Sequence, residues 1–154
     1  MPMPVTVRPA TPADIPAVLA LEAQAPTAAH WSREQYVRRV EGGCVLVAVD
    51  KAICGFVCTN IVAGEWEIEN IVVAPSCRRQ GTADRLMREL FDRARNANAS
   101  AILLEVRESN LPGRGLYAKH GFEEAGRRRT YYKDPPEEAI LYSFHFGTRA
   151  GNAS

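Results

Sequence analysis

No stretch of this chain approaches the roughly 20 apolar residues of a membrane span, and the N-terminus lacks a charged segment followed by an apolar one. A soluble, cytoplasmic protein is the expectation, with no membrane partner. Charge of one sign is also missing: 19 Lys and Arg stand against 18 Asp and Glu, for a net +1. The basic residues gather locally, at Arg78 with Arg79 and at Arg127 to Arg129. That argues against a broad nucleic-acid face and for a confined anion site. The four cysteines show no C-x-x-C spacing, and the three histidines pair with none of them in a metal-like interval. Neither a metal nor a redox pair is expected, and the thiols are read as buried or idle. No proline-rich or serine-rich linker and no internal repeat divides the 154 residues. One domain over residues 1–146 is expected, with the small, polar residues 147–154 a frayed tail.

What is present is a change of period. A short alternating strand over 5–8 leads to Thr11-Pro12-Ala13-Asp14, which has a capping threonine, a proline at the first helical position and an acid in the first turn. A helix is predicted from there to about Gln24. Ser32-Arg33-Glu34-Gln35 opens a second, which should stop near Gly42 and Gly43. Strands over 44–49, 53–61 and about 66–73 form an antiparallel meander. The pattern then turns helical over 82–96, with a strand at 102–106, a weak helix at 115–120 and closing strands at 123–129 and 139–146. The fold class is α/β (α+β): a central mixed, mostly antiparallel sheet flanked by helices.

Between the apolar run ending at Val73 and the helix over 82–96 lies Arg78-Arg79-Gln80-Gly81-Thr82-Ala83. A strand, a basic glycine loop and a helix start make a phosphate cradle, because the first amides of a helix have no intrahelical partners and carry positive potential. Gly81 allows close backbone approach, and small Thr82 and Ala83 keep the mouth open. The loop is neither G-x-x-x-x-G-K-[ST] nor G-x-G-x-x-G, so the nucleoside-triphosphate and dinucleotide fingerprints both fail. The two arginines suggest a pyrophosphate.

Loop, meander and element order together resemble the GNAT superfamily of acetyl-CoA-dependent N-acetyltransferases, whose loop reads [RQ]-x-x-G-x-[GA]. Within it the chain is similar to the RimI-type enzymes, which acetylate the N-terminal alanine of a small-subunit ribosomal protein. The likeness covers about residues 5–146. It rests on His30-Trp31-Ser32, Asn70-Ile71-Val72-Val73-Ala74-Pro75, Leu104-Glu105-Val106-Arg107 with Ser109-Asn110, Leu116-Tyr117 with Gly121-Phe122, and Arg128 with Tyr131-Tyr132. The resemblance implies acetyl-CoA as cosubstrate, no metal, and a protein N-terminus as acceptor, such as that of a small-subunit ribosomal protein. It implies a monomer or weak dimer with no nucleic-acid partner.

By the same resemblance, Ile71, Val72 and Val73 line the pantetheine arm, Arg79, Gln80, Gly81, Thr82, Ala83 and Asp84 form the pyrophosphate cradle, and Asn110 bonds the arm. Glu105 is the implied general base and Tyr117 the implied acid. Trp31, Tyr131 and Tyr132 correspond to loops that grip the acceptor. Each has a plainer reading: Ile71 to Val73 as a buried strand, Glu105 as an edge carboxylate paired with Arg107 or another basic residue, Asn110 as a turn or helix cap, and both Tyr117 and the tyrosine pair as packing residues. Glu65, Glu67 and Glu69 alternate onto one strand face. By the resemblance, in which several members place their base on this strand, Glu69 is a second candidate for the base; with its neighbours it is also a candidate attractor of a basic peptide, and the plainer reading is a solvated strand face. Asp84 stands where the family has a neutral or basic residue, and Gly113 replaces the alanine of N-x-x-A-x-x-L-Y. Two rival activities remain open: acetylation of a small amine, and coenzyme A binding without turnover.

Overall fold

Val45 and Val47 on one strand, Phe56 and Cys58 on the next and Val72 on a third pack into one cluster, where Ile15, Val18, Leu21 and Tyr36 of two helices meet them. In a computed structural model, described over residues 5–25, 30–78, 81–133 and 136–147, these segments form a first compact unit, residues 1–60 with 68–91. Its strands are β1 (Thr6–Pro9), β2 (Val45–Asp50), β3 (Ala52–Val62) and β4 (Glu65–Val73), neighbours in that order. β1 runs antiparallel to β2, and β2 to β3. Helix α1 (Ile15–Ala23) follows a 3-10 turn at Pro12–Asp14. There the Asp14 carboxylate accepts the Thr11 backbone N–H at 2.7 Å and two bonds from Arg8. That guanidinium, helped by Thr11, holds the Asp14 carboxyl down at about 2 against the opposing effect of burial. α2 (Arg33–Glu41) begins with the predicted capping box, Gln35 N donating to Ser32 Oγ and Ser32 N to Gln35 Oε1.

Helix α3 (Thr82–Asn96) buries Leu86, Met87 and Leu90. Gly55 on β3 admits it: a Cβ at that position would stand 3.1 Å from the Val72 carbonyl, 3.3 Å from Thr82 Cγ2 and 3.4 Å from Leu86 Cδ1.

The second unit, residues 61–67 with 92–154, holds β5 (Ala101–Arg107), α4 (Leu111–Lys119), β6 (Glu123–Lys133) and β7 (Pro136–His145). β7 lies between β5 and β6 and is antiparallel to both. Ile102, Leu104 and Val106 face the buried side of β5, Ile140 and Tyr142 are buried on β7, and Tyr117 on α4 and Phe122 just after it are buried too. Tyr117 lies edge-on to Phe122 at 5.8 Å and tilted against Tyr142 at 6.0 Å. Arg114 ties α4 down, donating to the Tyr142 hydroxyl at 3.0 Å, the Glu108 carbonyl and Glu124.

Three expectations change in this unit. α4 starts at Leu111 rather than at 115, because Asn110 caps it and Pro112 falls in the first turn, where no N–H is required. β6 and β7 each run further toward their turn, pairing as far as Tyr132↔Glu137 and Lys133↔Pro136. Tyr131 and Tyr132 therefore lie in a strand, not on a loop. The expected frayed tail falls, beyond Gly147, outside the described residues.

Candidate active site

β4 delivers the chain to the basic glycine loop. Its burial alternates as expected: Ile68, Asn70 and Val72 are buried, Glu65 and Glu67 exposed, and Ile71 and Val73 half-buried. Val72 packs in the first core, so that strand is structural whatever else its backbone does. After Ala74 a 3-10 turn at Pro75–Cys77 leads to the loop, and Arg78 Nε donates back to the Val73 carbonyl at 3.2 Å. Arg79 and Gln80, expected in the cradle, lie outside the described residues. Gly81 has φ +78°, in the left-handed region that favours glycine, and a Cβ there would meet nothing within 4 Å. α3 starts at the next residue: Thr82 is buried with its hydroxyl donating to the Cys77 carbonyl at 3.2 Å, and Ala83 and Asp84 are half-buried in the first turn. An open glycine followed by the first amides of a 15-residue helix fits a pyrophosphate.

The same unit holds Trp31 and Glu69 together through a third residue. Arg39 forks onto Glu69, Nε to Oε1 at 2.8 Å and Nη2 to Oε2 at 3.2 Å, and its Cζ stands 5.4 Å from the centre of the Trp31 ring. Trp31 is half-buried, 5.4 Å from the Tyr36 ring, with its backbone N–H bonded to Glu22 at 2.9 Å. Glu22 is buried and also accepts the Tyr36 hydroxyl at 2.5 Å, while Asn70 donates to that hydroxyl at 3.2 Å. Burial first, then the Glu22 carboxylate, pushes the Tyr36 phenol well up, so it stays a donor. Glu69, the second candidate for the base, is thus engaged on both oxygens.

In the second unit Glu105 lies on β5, its carboxylate 2.8 Å from Arg128 Nε of β6. The expected paired carboxylate is present, with Arg128 as the partner; Arg107 instead bonds Glu137 at 3.2 Å and stacks on Tyr132, Cζ to ring centre 4.3 Å. Tyr131 is exposed and edge-on to Tyr132 at 5.2 Å. The charge of Glu105, with some burial, raises its phenol, and burial followed by Glu105 lifts Tyr132 to about 12. Tyr117 is buried, and burial, with Tyr132 nearby, pushes its phenol well above the ordinary value, so it carries its proton at neutral pH. Asn110 plays the capping role, its Oδ1 accepting from Gly113 N at 3.1 Å. A Cβ at Gly113 would fall 2.8 Å from Asn110 Nδ2, so an alanine there would require the Asn110 side chain to shift. Among the described residues no three His, Cys, Asp or Glu side chains gather to hold a metal ion.

Residues 15–122 match the Acetyltransferase (GNAT) family. The chain belongs to that family. A ribosomal protein bS18-alanine N-acetyltransferase of Salmonella typhimurium is 32% identical over 83% of this chain and 88% of its own length. The protein of that name from Escherichia coli K12 is 37% identical over 58% of this chain, and the match spans 62% of that relative. The crystal structure of the ribosomal-protein-S18-alanine N-acetyltransferase from Escherichia coli superposes with TM-score 0.83 at 29% identity, over 94% of this chain and 97% of that one. The α/β fold expected from the sequence is thus the GNAT fold. Sequence reasoning passed over Arg39 as a partner of Glu69 and left the partner of Glu105 open. The resemblance had included Arg128, but nothing in a linear pattern joins it to Glu105 on a separate strand.

Proposed function

We propose that this GNAT chain moves the acetyl group of acetyl-CoA to the N-terminal α-amino group of a protein, such as a small-subunit ribosomal protein. The observation that carries the reading is the extended match, over 83% of this chain and 88% of the relative, with a ribosomal protein bS18-alanine N-acetyltransferase. The open φ-positive Gly81 at the head of α3 supports acetyl-CoA as the donor, with Thr82, Ala83 and Asp84 beside it and Ile71 to Val73 leading in.

Acetyl-CoA supplies a thioester carbonyl activated for attack. An α-amino group, which ordinarily titrates at about 7.7–8.0, is largely protonated at neutral pH and must lose a proton before its lone pair is free. Glu105 takes that proton, directly or through a water. Tyr117, protonated at neutral pH, donates to the departing sulfur. Asn110 and the tyrosines 131 and 132 serve the pantetheine arm and the acceptor's backbone; an aromatic wall with a hydroxyl tip suits a peptide. Between the two candidate bases, the forked Arg39–Glu69 pair favours Glu105, because both Glu69 oxygens already serve structure.

The test mixes the purified protein and acetyl-CoA with peptides of varied N-terminal residue and with small amines, and locates acetyl groups by mass spectrometry. Acetyl groups on peptide α-amines, alanine first, are expected. Acetylation confined to small amines or to lysine side chains would sink the reading.

A further inference from the structure

Glu105 and Arg128 are separated by a whole strand, for β7 runs between β5 and β6. The registers show how they meet. Ala139 of β7 is opposite Arg107 on one side and Arg128 on the other, so all three lie across one face, and Glu105, two residues before Arg107, shares it. Arg128 must therefore cross two inter-strand spacings, about 9–10 Å, to reach Glu105. Glu105 is opposite Leu141 and Arg128 opposite Ala139, so the crossing of β7 is diagonal, between those two positions. The pairing of β6 with β7 slips between Arg128 and Tyr132. Such a slip re-aims a side chain, and Tyr131 in that segment stands against the guanidinium, ring centre to Cζ 5.2 Å. The guanidinium is thus held between a phenol ring and a carboxylate.

The two partners differ in freedom: the Glu105 side chain is 17% exposed and that of Arg128 57%. A carboxylate withdrawn from water needs a partner to fix it, whereas the arginine has solvent to retreat into. Arg127 beside it differs, pairing with Glu108 and Glu138, both more open than Glu105.

We propose that Arg128 is a positioning residue for acetyl transfer, reaching across β7 to hold the Glu105 carboxylate where the acceptor amine must meet it. This rests on the reading of Glu105 as the general base. Arg128 touches neither acceptor nor donor; it acts through Glu105 and makes room toward solvent when the α-ammonium approaches.

A double-mutant cycle on the full chain tests it, with acetyl-CoA and the best peptide from the panel above. Arg128→Met lowers kcat about tenfold, a loss of orientation, and leaves the peptide KM and acetyl-CoA affinity within about threefold. Arg128→Lys, which keeps the charge, recovers most of kcat. In the Glu105→Gln background Arg128→Met has no further effect, since the group it positions is gone. Arg127→Met leaves kcat unchanged. An equal loss from Arg128→Met in both backgrounds, or a loss confined to KM, overturns the proposal while leaving Glu105 as the base. Full turnover in Glu105→Gln alone removes the base assignment and this inference with it. Should Arg128→Met not fold, Arg128→Gln against Arg128→Lys makes the same comparison.

Discussion

Two arginine–glutamate pairs, one in each unit of the chain, are built differently. Arg39–Glu69 is forked, with both side chains largely covered, 26% and 16% exposed, and its guanidinium lies against an indole that is itself packed on Tyr36. Arg128–Glu105 joins a covered carboxylate to an open guanidinium whose other face meets an exposed tyrosine. A pair covered on both sides is a brace, because neither charge has more than a minor share of its surface in water. A pair closed on one side holds the carboxylate yet lets its partner leave, which is the feature the proposed role of Glu105 as general base draws on.

The largest expected break in this comparison is in turnover: Glu105→Gln lowers kcat about a hundredfold with acetyl-CoA binding retained, and Glu69→Gln lowers it less than about threefold. Steady-state kinetics beside acetyl-CoA titration reads both, and the reverse ranking would move the base to β4. Tyr117→Phe should follow, about tenfold to a hundredfold lower in kcat with thermal stability nearly retained, since the ring contacts with Phe122 and Tyr142 persist. An unchanged kcat would leave Tyr117 a packing residue.

Stability ranks the pairs in the opposite order. Arg39→Met should cost about 1–3 kcal/mol in urea unfolding, because a largely covered guanidinium and both of its bonds to Glu69 are lost, and Arg128→Met, which removes a mostly exposed partner, less than about 1 kcal/mol. A third pair calibrates the scale by acid. Arg8 holds the Asp14 carboxyl down at about 2, below its ordinary value of 3.8, so Asp14 adds stability that is fully present above the unfolded value. That contribution, about 1–2 kcal/mol once screening by solvent is allowed for, is lost as pH falls through the window between the two values. Urea unfolding at pH 5 and near pH 2 should show this loss in the native chain and a smaller one in Asp14→Asn; equal losses would place the acid sensitivity elsewhere.

Much of the site is legible in residue order because its features are local. Ser32 with Gln35, Gly81 before a helix, and the alternation of Glu65, Glu67 and Glu69 each depend on spacings of a few residues, and the structure keeps them. The start of the helix at Leu111–Lys119 is hidden because Pro112 and Gly113 look like breakers; the Asn110 cap opens the helix before both, and Pro112 falls in the first turn, where no N–H is required. Tyr131 and Tyr132 read as loop residues because nothing local announces that β6 and β7 pair to their tip.

By itself the order of residues determined the kinds and succession of elements, the glycine before the third helix and the family, since these follow from backbone preference, hydrophobic period and motif spacing over short distances. Which arginine serves which glutamate was decided only by the tertiary structure. The packing of α2 against the strands of its unit closes Arg39 onto Glu69, and the register of β7 with its two neighbours brings Arg128 within reach of Glu105; both depend on how separate segments meet.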